Sequence, residues 1–97
     1  MATNKDYLIY VLDLLREIDG ITYKKMMGEY ILYYEGTIFG GIYDNRFLVK
    51  KTDYSSNLHL KEVEPYPTGK MMLLMDSEDP DEIKEIVINI VNEMRKQ

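Results

Sequence analysis

Apolar residues at positions 7, 8, 11, 12, 15 and 18 recur at spacings of one, three and four, beginning with Tyr7 and ending with Ile18. That repeat lays one stripe along a helix. Thr3 or Asn4 supplies the N-cap, Asp6 suits the first turn, and Gly20 is the expected stop. Ile9, Tyr10 and Leu14 widen the stripe, which predicts burial on more than one side and self-association.

After Gly20 the period shortens. β-branched and aromatic residues dominate to Lys51, broken at short intervals by turn residues. Four strands are predicted, Ile21–Met27, Tyr30–Glu35, Ile38–Tyr43 and Arg46–Lys51, with turns at Gly28, Gly36-Thr37 and Asp44-Asn45. Connections this short allow only an antiparallel meander. Gly40-Gly41 lies within a strand, where glycine marks a bulge or a close backbone approach. Tyr54–Leu60 reads as a short helix, and the segment from Pro65 to Gly69 as a loop, since its prolines remove donors and restrict their predecessors. Met71–Met75 is apolar without alternation, which predicts a central strand covered on both faces. The last element is the clearest. Asp79 caps, Pro80 opens the helix, and Ile83, Ile86, Val87, Ile90, Val91 and Met94 form a stripe closed by Arg95 and Lys96. The expected fold is α+β: one domain over residues 1–97, two layers, an antiparallel sheet of about five strands packed with N- and C-terminal helices.

Composition narrows the function classes. The 97 residues contain no cysteine, so disulfides, thiolate metal sites and cysteine nucleophiles are excluded. The one histidine, His59, has no second imidazole to share a metal with and reads as structural. Ser55, Ser56 and Ser77 lack a nucleophile-elbow context. The run Asp76-Ser77-Glu78-Asp79-Pro80-Asp81-Glu82 does not fit a calcium loop and reads as acidic residues at a helix start. No phosphate loop surrounds any glycine. No catalytic residue, cofactor site or metal site is therefore assigned. An enzymatic alternative would show as a deep pocket with a perturbed carboxylate near Glu29 or Asp44.

The net charge is −5, and the tail carries most of it: residues 71–97 hold seven acidic groups against three basic ones. Residues 20–52 alone have a positive balance, five basic against three acidic. There Lys24-Lys25 and Lys50-Lys51 lie among tyrosines, a composition that can contact phosphates and stack bases. The acidic mean field opposes that reading. No apolar run spans a bilayer and no signal core follows Met1, so a cytoplasmic protein is expected.

One segment carries a resemblance. Lys24-Lys25-Met26-Met27-Gly28-Glu29-Tyr30, Leu32-Tyr33-Tyr34, Gly36, Phe39-Gly40-Gly41-Ile42 and Arg46-Phe47-Leu48-Val49-Lys50 resemble the TfoX N-terminal domain family, the TfoX/Sxy competence-regulator group. Lys24 stands where the family commonly has arginine, and Ile31 where a second glycine is frequent. The resemblance implies a two-layer α+β domain with a non-enzymatic role. Full-length members regulate natural transformation together with a cyclic-AMP receptor transcription factor, so it also implies a protein partner of that regulatory kind. The helical second domain of those members has no counterpart in this sequence. The expected interaction surface is Lys24, Lys25, Met26, Gly28, Tyr33 and Lys50, with Gly28 structural.

Overall fold

The computed structural model describes residues 2–96. Helix α1 runs Lys5–Leu14, capped by the Asn4 side chain, which accepts from the Tyr7 N–H at 2.8 Å. Thr3 does not cap it. The helix also ends earlier than Gly20 suggested: Leu15–Glu17 continue as turns, and Gly20 (φ 90°) provides the left-handed residue that starts the first strand. Leu14 is buried, whereas Ile9 and Tyr10 stay exposed on the monomer.

Four strands follow, β1 (Ile21–Met26), β2 (Glu29–Tyr34), β3 (Thr37–Ile42) and β4 (Phe47–Val49). Each pairs antiparallel with the next, as the sequence predicts. All three hairpins close through two residues of positive φ: Met27-Gly28, Glu35-Gly36 and Asp44-Asn45. Such mirror-image turns match the right-handed twist of the strands they join. The middle turn is thus Glu35-Gly36, and Thr37 already belongs to β3. Between β2 and β3 the register slips, so that Leu32 faces Gly40 while Tyr33 faces Ile38, and Phe39 is the extra residue. Both expectations for the glycine pair are met. The slip is a bulge, and a Cβ at Gly40 would collide with the Leu48 carbonyl oxygen across the ladder.

Beyond β4 the short helix is one turn, α2 (Asp53–Ser56), rather than Tyr54–Leu60. It carries a reciprocal cap: the Thr52 N–H donates to Ser55 Oγ at 2.7 Å and the Ser55 N–H to Thr52 Oγ1 at 3.1 Å. Strand β5 (Glu62–Val63), not read from the sequence, brings the sheet to six strands. Strand β6 (Met72–Leu74) lies between β4 and β5, giving the order β1-β2-β3-β4-β6-β5. Its run is not covered on both faces: Leu73 and Met75 are buried, Met72 and Leu74 only half-buried. Helix α3 (Pro80–Arg95) is capped by Asp79 and buries Ile83, Ile86, Val87, Ile90 and Val91.

The core lies between the two long helices and one sheet face, where Leu32, Phe39, Ile42, Phe47 and Val49 are essentially inaccessible. The result is the expected two-layer α+β arrangement. No helix among the described residues is long and apolar enough to cross a membrane.

Candidate functional site

Residues directly opposed across an antiparallel ladder share a face. The core side is marked by Tyr30 opposite Ile42, Leu32 opposite Gly40, and Val49 opposite Leu73. The other side holds Lys24 opposite Ile31, Tyr33 opposite Ile38, Gly41 opposite Leu48, and Leu48 opposite Leu74. No helix covers these residues in the way α1 and α3 cover the core side. The segment from Glu64 to Met71 folds over part of the face instead.

Arg46 holds that segment. Its guanidinium donates to the carbonyls of Tyr43 at 3.1 Å, Glu64 at 3.0 Å and Pro65 at 3.3 Å. Pro65 is buried as a result, and the Tyr66 ring comes to 6.0 Å from the Tyr43 ring. Beneath them Leu48 is fully buried although it lies outside the main core. Gly41 makes room for this stack: a Cβ there would stand 2.6 Å from Tyr43 Cε2 and 2.8 Å from the Tyr30 carbonyl oxygen. Burial, with Tyr66 and Glu29 adding to it, raises the Tyr43 phenol above its ordinary value.

What the loop leaves uncovered is an open groove of about 1020 Å³. Met26, Ile31, Tyr33 and Ile38 come from the meander; Met71, Met72 and Tyr66 come from the far side. Lys50, Lys51 and Lys70 line it as well, with Asp53 its one carboxylate. The Lys51 ammonium is 2.8 Å from Glu62 Oε1. Among the described residues the other ion pairs are Arg16–Asp13 and Arg95–Glu35, so Lys24, Lys50 and Lys70 have no carboxylate partner.

The six residues read from sequence as a surface divide accordingly. Met26, Tyr33 and Lys50 line the groove, and Lys24 stands on the same sheet face beside Ile31. Lys25, opposite Tyr30, points to the helix side. Gly28 (φ 83°) sits in the first hairpin turn against Ala2, a structural position. The four lysines therefore do not form one cluster. Groove residues that the sequence reading missed include Ile31, Ile38, Tyr66, Lys70, Met71 and Met72.

A second hollow of about 240 Å³ lies at Glu29, Asp44, Arg46 and Glu64. Glu29 is a structural tie here. Its Oε1 accepts from Thr3 N–H at 2.9 Å and Thr3 Oγ1 at 2.7 Å, and its carboxylate also accepts from the Asp44 N–H. Thr3 Oγ1 accepts in turn from the Asn45 N–H at 3.1 Å. Glu29, one of two carboxylates near which an enzymatic alternative would have shown itself, thus fastens two hairpin tips to the chain before α1. Among the described residues no three His, Asp or Glu side chains group as they would around a metal ion.

The whole sheet, with the bulge, the three mirror-image turns and the Arg46 anchor, falls inside residues 13–83, the stretch matched by the sequence profile of the TfoX N-terminal domain. The chain belongs to the TfoX N-terminal domain family. No curated protein matches it. For this TfoX N-terminal domain, the motif from Lys24 to Lys50 resolves into a physical arrangement. It builds the first three hairpins, supplies Arg46 for the loop anchor, and puts Met26, Tyr33 and Lys50 into one groove.

Proposed function

We propose that this TfoX N-terminal domain is a non-catalytic interaction domain that captures a protein partner on the open face of its sheet. The observation that carries this reading is the groove itself. A small monomer normally covers contiguous apolar surface unless something docks there. This groove is open, lined by methionine, isoleucine and tyrosine side chains, and holds one carboxylate and no histidine. Methionine suits docking because its unbranched thioether adapts to varied contours. Met27, beside the groove residue Met26, is 96% exposed. The family supports a regulatory setting, with a transcription regulator as the kind of partner.

The test is affinity capture from native cells, with the captured protein identified and the complex rebuilt from purified components. Capture is expected to fail for Lys24→Glu/Lys50→Glu and to persist for Lys25→Glu, whose side chain leaves the opposite face. Undiminished capture by the double variant counts against this surface.

A further inference from the structure

The charge around the groove is the reverse of the charge on the molecule. The chain carries −5 overall. Yet the groove is lined by Lys50, Lys51 and Lys70 against Asp53 alone, and Lys24 adds to the same face. Lys51 pairs with Glu62; the other three cations form no ion pair among the described residues. Lys50 is half-buried. A lysine whose stem is held against the groove and whose ammonium has no ion-pair partner offers an incoming anion a positioned charge.

Resting on the reading of this face as a protein-docking surface, we propose that its ligand is an acidic peptide segment bearing apolar side chains. Its carboxylates meet Lys24, Lys50 and Lys70, and its apolar groups lie on Met26, Ile38 and Met72. The floor decides between this and a nucleic acid. Bases need flat aromatic platforms, whereas the floor here is mainly thioether and β-branched: of the three tyrosines that line the groove, Tyr43 and Tyr66 are engaged with each other, which leaves the single ring of Tyr33. A nucleic-acid strand also brings one charge per nucleotide into an acidic mean field. A peptide brings only the few charges the lysines can answer. An open groove of this volume suits several residues of extended or helical chain.

Fluorescence anisotropy on the intact protein tests the proposal. The probes are a labelled dodecapeptide alternating Asp/Glu with Leu/Phe, its counterpart with Lys for Asp/Glu, and a dodecamer of oligo-dT. The acidic peptide is expected to bind, more tightly at low salt, and the basic one to fail. Lys50→Glu is expected to weaken binding roughly tenfold, the scale of one lost charge contact. Met26→Gln, at an exposed position, weakens it without unfolding the sheet, and Lys25→Glu leaves it unchanged. Circular dichroism and the urea midpoint confirm that each variant is folded. Equal binding of acidic and basic peptides, preference for oligo-dT, or no binding by any probe overturns the proposal. So does self-association of the protein that Lys50→Glu abolishes, since the occupant is then a second copy. Failure here is separable from failure of the docking reading, because the rebuilt partner complex reports on that reading by itself.

Discussion

Met27 occupies a position that its side chain does not favour. It sits at φ 53°, first of the two residues closing the β1–β2 hairpin, and is almost wholly exposed. Asparagine or glycine adopts that conformation at lower cost. A Met27→Asn change makes the turn Asn-Gly and is expected to stabilise the domain by about 1 kcal/mol, read as a higher urea midpoint. The same variant is expected to weaken capture of the partner, because it removes an exposed thioether beside Met26. A rise in stability with undiminished capture would separate Met27 from the docking surface. Much of this scale was readable. Period-two alternation alone sends Lys24 and Lys25 to opposite faces, so the division of the lysine pair follows from the strand assignment. The tie between Thr3 and Glu29 was not readable, because 26 residues separate the partners and a threonine near a helix start already has a local role as a cap.

Among the elements, α3 holds the rest in place by its last two turns. Glu93 accepts the Asp53 and Tyr54 N–H groups, both at 2.9 Å, and so caps α2 from another element. Arg95 lies over the Tyr34 ring and donates to the Tyr34 and Glu35 carbonyls, fastening the β2–β3 hairpin. Glu93→Ala leaves both N–H groups without their charged acceptor. The expected cost is about 1–2 kcal/mol, measurable by urea unfolding, with Glu93→Gln losing less. Helix α3 was legible because its stripe, Asp79 cap and Pro80 agree with one another. The end of α1 was not. Leu15 and Ile18 continue the stripe and are buried, yet they lie past the helix in turns that still point them inward. Strand β5 is two residues long and carries no periodicity to detect. The Met71–Met75 run misled in the opposite sense. Of its two half-buried side chains, Met72 lines the groove and Leu74 lies opposite Leu48 on the same sheet face.

At the scale of the whole molecule, pH acts through half-buried phenols. Burial raises Tyr7, partly offset by a hydrogen bond with the Phe47 backbone, and burial raises Tyr43 with Tyr66 and Glu29 adding to it. A phenol whose folded value lies above the ordinary 10.0 retains its proton longer in the folded state than in the unfolded one. The stability tied to that difference is complete below pH 10 and is lost as pH rises through the folded value. The urea midpoint is therefore expected to fall on the alkaline side, with a shallower fall in Tyr43→Phe. An unchanged slope in that variant would remove Tyr43 as a source. The groove was the least legible part of the molecule. Its far wall depends on Arg46 reaching carbonyls 18 and 19 residues away, a link that no local pattern announces.

The joint between β4 and β6 consists of two residue pairs, Leu48 with Leu74 and Val49 with Leu73. Everything on one side of it is a chain of tight hairpins whose contacts are near in sequence. The other side arrives only after the whole segment from Lys50 to Met72 has closed into a loop, which makes it the slower part to assemble. The groove straddles this seam, with Met26 and Tyr33 on the early-forming wall and Met72 on the late one. An occupant that touches both walls therefore acts as a clasp, joining two parts of the sheet that the backbone holds together by a short ladder.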